Sequence, residues 1–303
     1  MSKDISEVFP RVFKSNTGIK ITEKILDASS IEVYEIDKFS DDENNRNHYD
    51  DRNSQNIKYL VLHYTVINFP QTITTFTANK DNNRVSAHYV ISELEQSLDA
   101  GKIIHVVPDD KRAWHAGISI WGNEKNLNYT SIGIEHVNHG FVTNQGKIEW
   151  CEFDNEQINS SIELCKYLVN KYNILPQNIL AHSDIAPGRK EDTGPLFPWE
   201  SFYKAGIGAW LDYDERTEED IRQKYKITID YPKSREDILK LLSIFGYDIS
   251  NEDGAIKAFK AHYSDNQHAE NYNSDITETL QLWCFGLVAK YITNINILIK
   301  KIY

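Results

Sequence analysis

Thr130-Ser131-Ile132-Gly133-Ile134-Glu135-His136-Val137-Asn138 is the stretch whose reading decides the fold. It reads as a β-strand. Alternation puts Ile132, Ile134 and His136 on one face and Ser131, Gly133, Glu135 and Val137 on the other. Glu135 is an acid in the middle of an otherwise apolar run. A buried carboxylate without a partner is costly, so it calls for a metal, a cation or a functional role. Gly133, two residues earlier on the same face, leaves room above the sheet. The other reading is a Glu facing solvent from an edge strand.

Working outward, Asp154 to Tyr172 reads as a helix. Asp154 with Gln157 three residues later resembles a capping box. Ile158, Ile162, Cys165, Val169 and Tyr172 form an apolar stripe at helical spacing. Asn178 to Ala181 is a short strand running into His182. Toward the N-terminus, Ile57 to Thr65 (IKYLVLHYT) holds the run Tyr59 to Leu62, a strand buried on both faces with His63 at its C-terminal end. Pro70 opens a helix through Ala78. Val85 to Ser92 and Lys102 to Val107 are further strands, and their His88 and His105 read as structural imidazoles. Strands alternating with helices predict an α/β fold, a mixed central sheet flanked by helices.

Ala181 to Pro195 (AHSDIAPGRKEDTGP) carries a His, a Lys and a carboxylate at irregular spacing around a Pro-Gly turn. Such a loop can aim several side chains at one point. His182 and Asp192 can each ligate a divalent metal, and a catalytic zinc takes three protein ligands with a fourth position open. His63 completes a plausible set, although a core His bonded to a backbone carbonyl explains its position equally well. Glu135 is the natural proton carrier for amide hydrolysis, and Lys190 can stabilise a developing oxyanion. Arg112 to Gly117 (RAWHAG) suits a pocket wall, or a loop pinned by a buried Trp114.

The net charge is -12 over 303 residues, which argues against nucleic acid and against bulk attraction to anionic polymers. Hydrophobic content of 40% suffices for a packed core. Cys151, Cys165 and Cys284 have no regular spacing and make neither a disulfide framework nor a structural zinc site. Residues 1–56 read as a peripheral extension, with Asp41 to Asn56 a polar surface loop. No signal peptide and no transmembrane run stands out. Asp212 to Lys226 reads as a charged linker. Three helices follow, Ser234 to Phe245 ended by Gly246, Asp253 to Tyr263 and Asp275 to Tyr291, with a polar loop from Ser264 to Asn273. They suit a small three-helix domain able to fold alone.

With these pieces assembled, the chain resembles the zinc-dependent N-acetylmuramoyl-L-alanine amidases of the type 2 amidase family, which includes peptidoglycan recognition proteins and some phage endolysins. The matching pieces are LHYT around His63, VSAHYVI at Val85 to Ile91, WHAG at Trp114 to Gly117, SIGIE ending at Glu135, and HSDIAPGRKEDTGP from His182 to Pro195. The resemblance implies one catalytic zinc on His63, His182 and Asp192, with Glu135 and Lys190 catalytic. It implies cleavage of the amide between the lactyl group of N-acetylmuramic acid, anhydro form included, and L-alanine of the stem peptide. It also places Trp114, His115 and Arg189 along the substrate groove. His136 and His139 depart from the family pattern, and either imidazole is a candidate to perturb Glu135.

The C-terminal part (LLSIFGYDIS, AIKAFKAHY, ITETLQLW) is similar to peptidoglycan-binding three-helix domains. The organisation expected is 1–56 extension, 57–211 amidase domain and 212–303 helical wall-binding domain, with peptidoglycan or muramoyl-peptide fragments as partners. A missing leader points to the cytoplasm, and a wall-binding tail points to the periplasm or cell wall. The alternative from another class is a recognition module that binds peptidoglycan without cutting it. Recognition proteins that lost catalysis typically lack a zinc ligand, whereas all three ligand types are present here.

Overall fold

The computed structural model describes residues 1–13, 17–26, 29–38, 48–77, 84–94, 100–263 and 272–293. From the N-terminus run β1 (Lys3–Asp4), α1 (Ile5–Val8), β2 (Lys20–Ile25), β3 (Glu32–Lys38), β4 (Tyr49–Asp51), β5 (Tyr59–Tyr64) and α2 (Phe69–Thr77). Then come β6 (Tyr89–Ile91), β7 (Ile103–His105), β8 (Lys111–Ala113), β9 (Ile120–Trp121), β10 (Glu124–Lys125) and β11 (Ser131–His136). β12 (Phe141–Asn144), β13 (Lys147–Trp150), α3 (Asn155–Tyr172) and β14 (Ile179–Ala181) follow. The rest is helical: α4 (His182–Ile185), α5 (Trp199–Lys204), α6 (Glu218–Tyr225), α7 (Arg235–Phe245), α8 (Glu252–His262) and α9 (Glu278–Tyr291). The chain falls into two compact units, one of residues 1–117 and 126–180, the other of 118–125 and 181–303.

The first unit is built on an eight-stranded sheet in the order β1-β2-β3-β7-β6-β11-β5-β14. Pairs β3/β7, β6/β11 and β11/β5 are parallel, and β1/β2, β2/β3 and β6/β7 are antiparallel, so the sheet is mixed as expected. β11 lies between β6 and β5 and is buried along its whole length. That position overturns the edge-strand reading of Glu135. It also explains the apolar run of β5, since interior parallel strands are covered on both faces.

The N-terminal residues are not peripheral. β1, β2 and β3 extend the sheet. Ile5, Phe9, Phe13, Ile19, Ile21 and Ile36 join Phe69, Ile73 and Phe76 of α2 in one core. Phe9 meets Phe69 edge-on at 5.8 Å. Part of the expected surface loop, 41–47, lies outside the described residues. In the remainder, β4 pairs with β8, and His48 and Arg52 are buried. Arg52 looked like a solvated charge, but a guanidinium has five donors and can satisfy several carbonyls at once. Here it donates to Asp109 O (2.8 Å), Tyr129 O (2.9 Å) and Ser131 O (2.7 Å).

α3 packs through Gln157, Ile158, Ser161, Leu164, Cys165 and Leu168, a face rotated from the expected stripe, with Ile162 and Val169 only half-buried. The capping box does not form. The Asp154 carboxylate instead accepts from Leu94 N at 2.7 Å. Gln157 donates to Ile91 O (3.0 Å) and Val137 O (2.9 Å), tying the helix to the ends of β6 and β11.

In the second unit α7, α8 and α9 appear where expected. Ser234 and Asp237 close the box at the start of α7, and Gly246 ends it at φ 141°. The stretch expected as a linker contains α6. Thr217 caps it, acids fill its first turn and Arg222 and Lys224 its last, the order that complements a helix dipole. Ile221 anchors it in the core. Residues before 211 share that core: Trp210 meets Trp283 at 4.6 Å, and Trp199 stacks on His262 at 3.7 Å. The expected 211/212 boundary therefore falls inside this unit. Most of the expected 264–273 loop, residues 264–271, lies outside the described residues. Among the described residues no helix is long and apolar enough to cross a membrane.

Candidate functional site

In the first unit the site begins with two neighbouring parallel strands in register. Glu135 of β11 stands opposite His63 of β5, and Gly133 opposite Val61. Registered partners share a face, so the carboxylate and the imidazole project from the same side of the sheet. Glu135 is 8% exposed and His63 1%.

His115 completes this group. Its Nδ1 lies 3.0 Å from Nε2 of His63, and its Nε2 lies 3.1 Å from Ser131 Oγ. The Ser131 hydroxyl donates to Leu127 O at 2.6 Å, so toward His115 it accepts. His115 therefore carries its proton on Nε2. In the neutral ring Nδ1 then accepts, and His63 donates from its own Nε2. Gly133 makes the arrangement possible, because a Cβ there would strike the His115 ring. The loop itself is fixed by Asn128 Oδ1, which accepts from the backbone of His115 (3.1 Å) and Ala116 (2.7 Å). Trp114 is half-buried, with the Arg112 guanidinium 4.1 Å from its ring centroid.

Three other histidines of the first unit, His88, His105 and His136, do structural work. His88 Nδ1 accepts from Gly133 N at 3.0 Å. Burial, and next the nearby Arg52 charge, push its pKa down to about 3. His105 stacks on Tyr89 at 4.5 Å. His136 bonds His63 O (2.9 Å) and Ser161 Oγ (2.7 Å) on the face opposite Glu135, and His139 is exposed. Strand alternation thus places the His136 ring away from the Glu135 side chain.

In the second unit, α4 is a single turn that starts at His182. His182 Nδ1 faces Asp192 Oδ2 at 3.0 Å, and both side chains are buried. Ser183 N donates to Asp192 O at 2.7 Å, closing the loop on itself. Between the two, Arg189 and Lys190 are exposed on a turn whose amides both donate to Ala186 O. Arg189 Nη2 donates to Ile118 O at 2.6 Å. A neutral imidazole nitrogen and a carboxylate oxygen, both shielded from water, suit a zinc ion in charge and donor type.

The sequence reading assigned no role to Asp184. It is fully buried. It accepts from Ala181 N (2.7 Å), Tyr247 Oη (2.6 Å) and His262 Nδ1 (2.6 Å). An Asp two residues after a candidate ligand was a signal, but its partners lie more than 60 residues downstream.

The family model described as N-acetylmuramoyl-L-alanine amidase matches residues 53–195. The N-acetylmuramoyl-L-alanine amidase AmiD of Escherichia coli (strain K12) is 36% identical over 242 residues, 78% of this chain and 83% of that protein. The 1,6-anhydro-N-acetylmuramyl-L-alanine amidase AmpD of Enterobacter cloacae is 36% identical over 133 residues, 42% of this chain and 66% of that protein. Among solved structures, the complex of AmiD from E. coli with anhydro-N-acetylmuramic acid-L-Ala-D-gamma-Glu-L-Lys matches with a TM-score of 0.66 at 35% identity, covering 78% of this chain and 90% of that one. AmpDh3 from Pseudomonas aeruginosa also gives 0.66, at 32% identity over 82% and 98% of the two chains.

Proposed function

The chain belongs to the N-acetylmuramoyl-L-alanine amidase family and is an amidase of peptidoglycan, and from that premise we propose that one zinc ion held by His63, His182 and Asp192 serves its reaction. The bond cut is the amide between the lactyl group of N-acetylmuramic acid and L-alanine of the stem peptide. The 1,6-anhydro form is accepted as well, a reading supported by the names of the AmpD relatives and by the ligand in the AmiD complex.

The observation that carries the mechanism is Glu135 in register beside His63 on an interior strand. A zinc ion with three protein ligands supplies Lewis-acid polarisation of the amide carbonyl and a more acidic water. Glu135 takes a proton from the attacking water and delivers it to the leaving amine of L-alanine. Lys190, an exposed ammonium two residues before Asp192, stabilises the charge that develops on the carbonyl oxygen. Trp114 lines the groove, and Arg189 meets a stem-peptide carboxylate through its guanidinium. His115 has both ring nitrogens engaged within the first unit, so its role is to orient His63 with Nδ1 as the ligating atom. Residues 57–211 carry the catalytic groups, and 212–303 help to orient the wall polymer.

The test is mass spectrometry of products from an anhydromuramoyl tetrapeptide and from intact sacculi, with enzyme as purified and after chelation. Free stem peptide, lost on chelation and restored by zinc, is the expected result. No release from either substrate with zinc bound would instead support a recognition module without catalysis. Glu135→Gln should keep its zinc and lose about 10²- to 10⁴-fold in turnover. Wild-type rates in that variant would remove Glu135 from the mechanism.

A further inference from the structure

Asp184 is a fully buried carboxylate to which the reaction assigns no task. A charge in that position persists only where donors replace its water. It has three. Ala181 N donates from the residue just before His182, and Asp184 itself sits two residues after it. The carboxylate therefore spans His182 from both sides. The other two donors, Tyr247 Oη and His262 Nδ1, come from the helical segment.

Neither donor can swing away. His262 is sandwiched, stacked on Trp199 at 3.7 Å and on Tyr263 at 3.8 Å with rings nearly parallel. Tyr247 packs against Trp121 at 4.9 Å and Phe259 at 5.8 Å. A further tie lies at the far side of the loop. A Cβ on Gly254, in the first turn of α8, would come within 2.6 Å of Gly188 N and 2.8 Å of its Cα. The start of α8 thus rests directly on the Pro187–Gly188 turn.

We propose that Asp184, gripped by Tyr247 and His262, is a positioning residue for the His182–Asp192 loop, which makes the helical segment part of the scaffold of the metal centre. α4 is one turn of four residues, too short to hold its own conformation, because a single helical turn fixes several dihedrals for one hydrogen bond. The clamp supplies what the turn lacks. It sets His182 directly, and it sets Asp192 through the Ser183 N to Asp192 O bond. The proposal rests on the zinc reading above, and affinity for the metal separates the two.

The experiment uses the full chain. The zinc dissociation constant is measured by chelator competition, and the visible spectrum is recorded with cobalt in place of zinc. Tyr247→Phe and His262→Phe remove one donor each. His262→Asn returns an N–H near the position of Nδ1. Tyr203→Phe is the control, since it removes a phenol-to-carboxylate bond to Asp212 in the same unit, away from the loop. Zinc affinity should weaken about 10-fold in the two Phe variants, the range typical of residues that orient metal ligands. The cobalt spectrum should shift with it. His262→Asn should recover part of the loss, and Tyr203→Phe should match wild type. Wild-type affinity and spectrum in Tyr247→Phe and His262→Phe, whatever their melting temperatures, would overturn the proposal. If His262→Phe does not fold, Tyr247→Phe, which lacks only one oxygen atom, carries the test alone. A wild-type chain that binds no zinc would overturn the metal centre itself.

Discussion

Gly133 and Ser131 act on the site without any chemistry of their own. Ser131 spends its single proton on Leu127 O and so fixes the tautomer of His115, which in turn fixes that of His63. Gly133 supplies the empty volume that the His115 ring fills. Gly133→Ala should therefore displace His115, destabilise the fold by about 1–3 kcal/mol as an overpacked core does, and reduce turnover further than the stability loss explains. Urea unfolding and initial rates measured side by side check this, and unchanged rates would mean the ring position does not matter. At this scale the sequence was legible where a polar residue interrupts an apolar run, as His63 and Glu135 do. Room for a side chain could be inferred at Gly133, but not which ring would enter it. The partners of Asp184 were hidden, because contacts across more than 60 residues leave no local periodicity.

Among the elements, the apolar run of β5, the alternation of β11 and the cap of α7 were read correctly, whereas the box expected at Asp154 does not form. Composition misled where charge hides structure. The acids and bases of α6 read as a linker, yet they are sorted by sign along a helix that Thr217 starts and Ile221 anchors. Thr217→Ala should cost about 1 kcal/mol in denaturant unfolding, the usual worth of such a cap. The N-terminal strands were missed as well. β1 is only two residues, and β2 and β3 mix charged with apolar residues, of which Ile21 and Ile36 complete a core whose other half comes from α2. In α3 Gln157, expected to form a capping box with Asp154, is buried instead, because it bridges two carbonyl groups at once. Gln157→Leu leaves Ile91 O and Val137 O without that donor and should cost about 1–3 kcal/mol.

For the whole molecule, two buried imidazoles set the response to acid. His88 is pushed down to about 3, by burial and then by Arg52, and His136 to about 4, chiefly by burial. Unfolded, each would titrate near ~6.5. Between those values the unfolded chain binds protons that the folded one refuses, so stability is full above pH ~6.5 and declines as pH falls. Each His contributes a slope of up to about 1.4 kcal/mol per pH unit. Thermal melts from pH 7 to 4 should show a steady loss, and a flat profile over that range would contradict it. A second consequence concerns modularity. The sequence suggested that 212–303 holds a helical domain able to fold alone, but deletion removes both Tyr247 and His262. The truncated chain should lose cleavage of small muramoyl peptides together with cleavage of sacculi, by the same product assay.

The grip on Asp184 also has a meaning in time. About 70 residues separate Asp192 from His262, so at ordinary translation speed about 4–14 s pass between their emergence from the ribosome. During that interval the growing chain contains His63, His182 and Asp192 but not His262, which steadies their loop. A wall hydrolase built in this order gains a steadied metal loop only after His262 has followed Asp192 out of the ribosome.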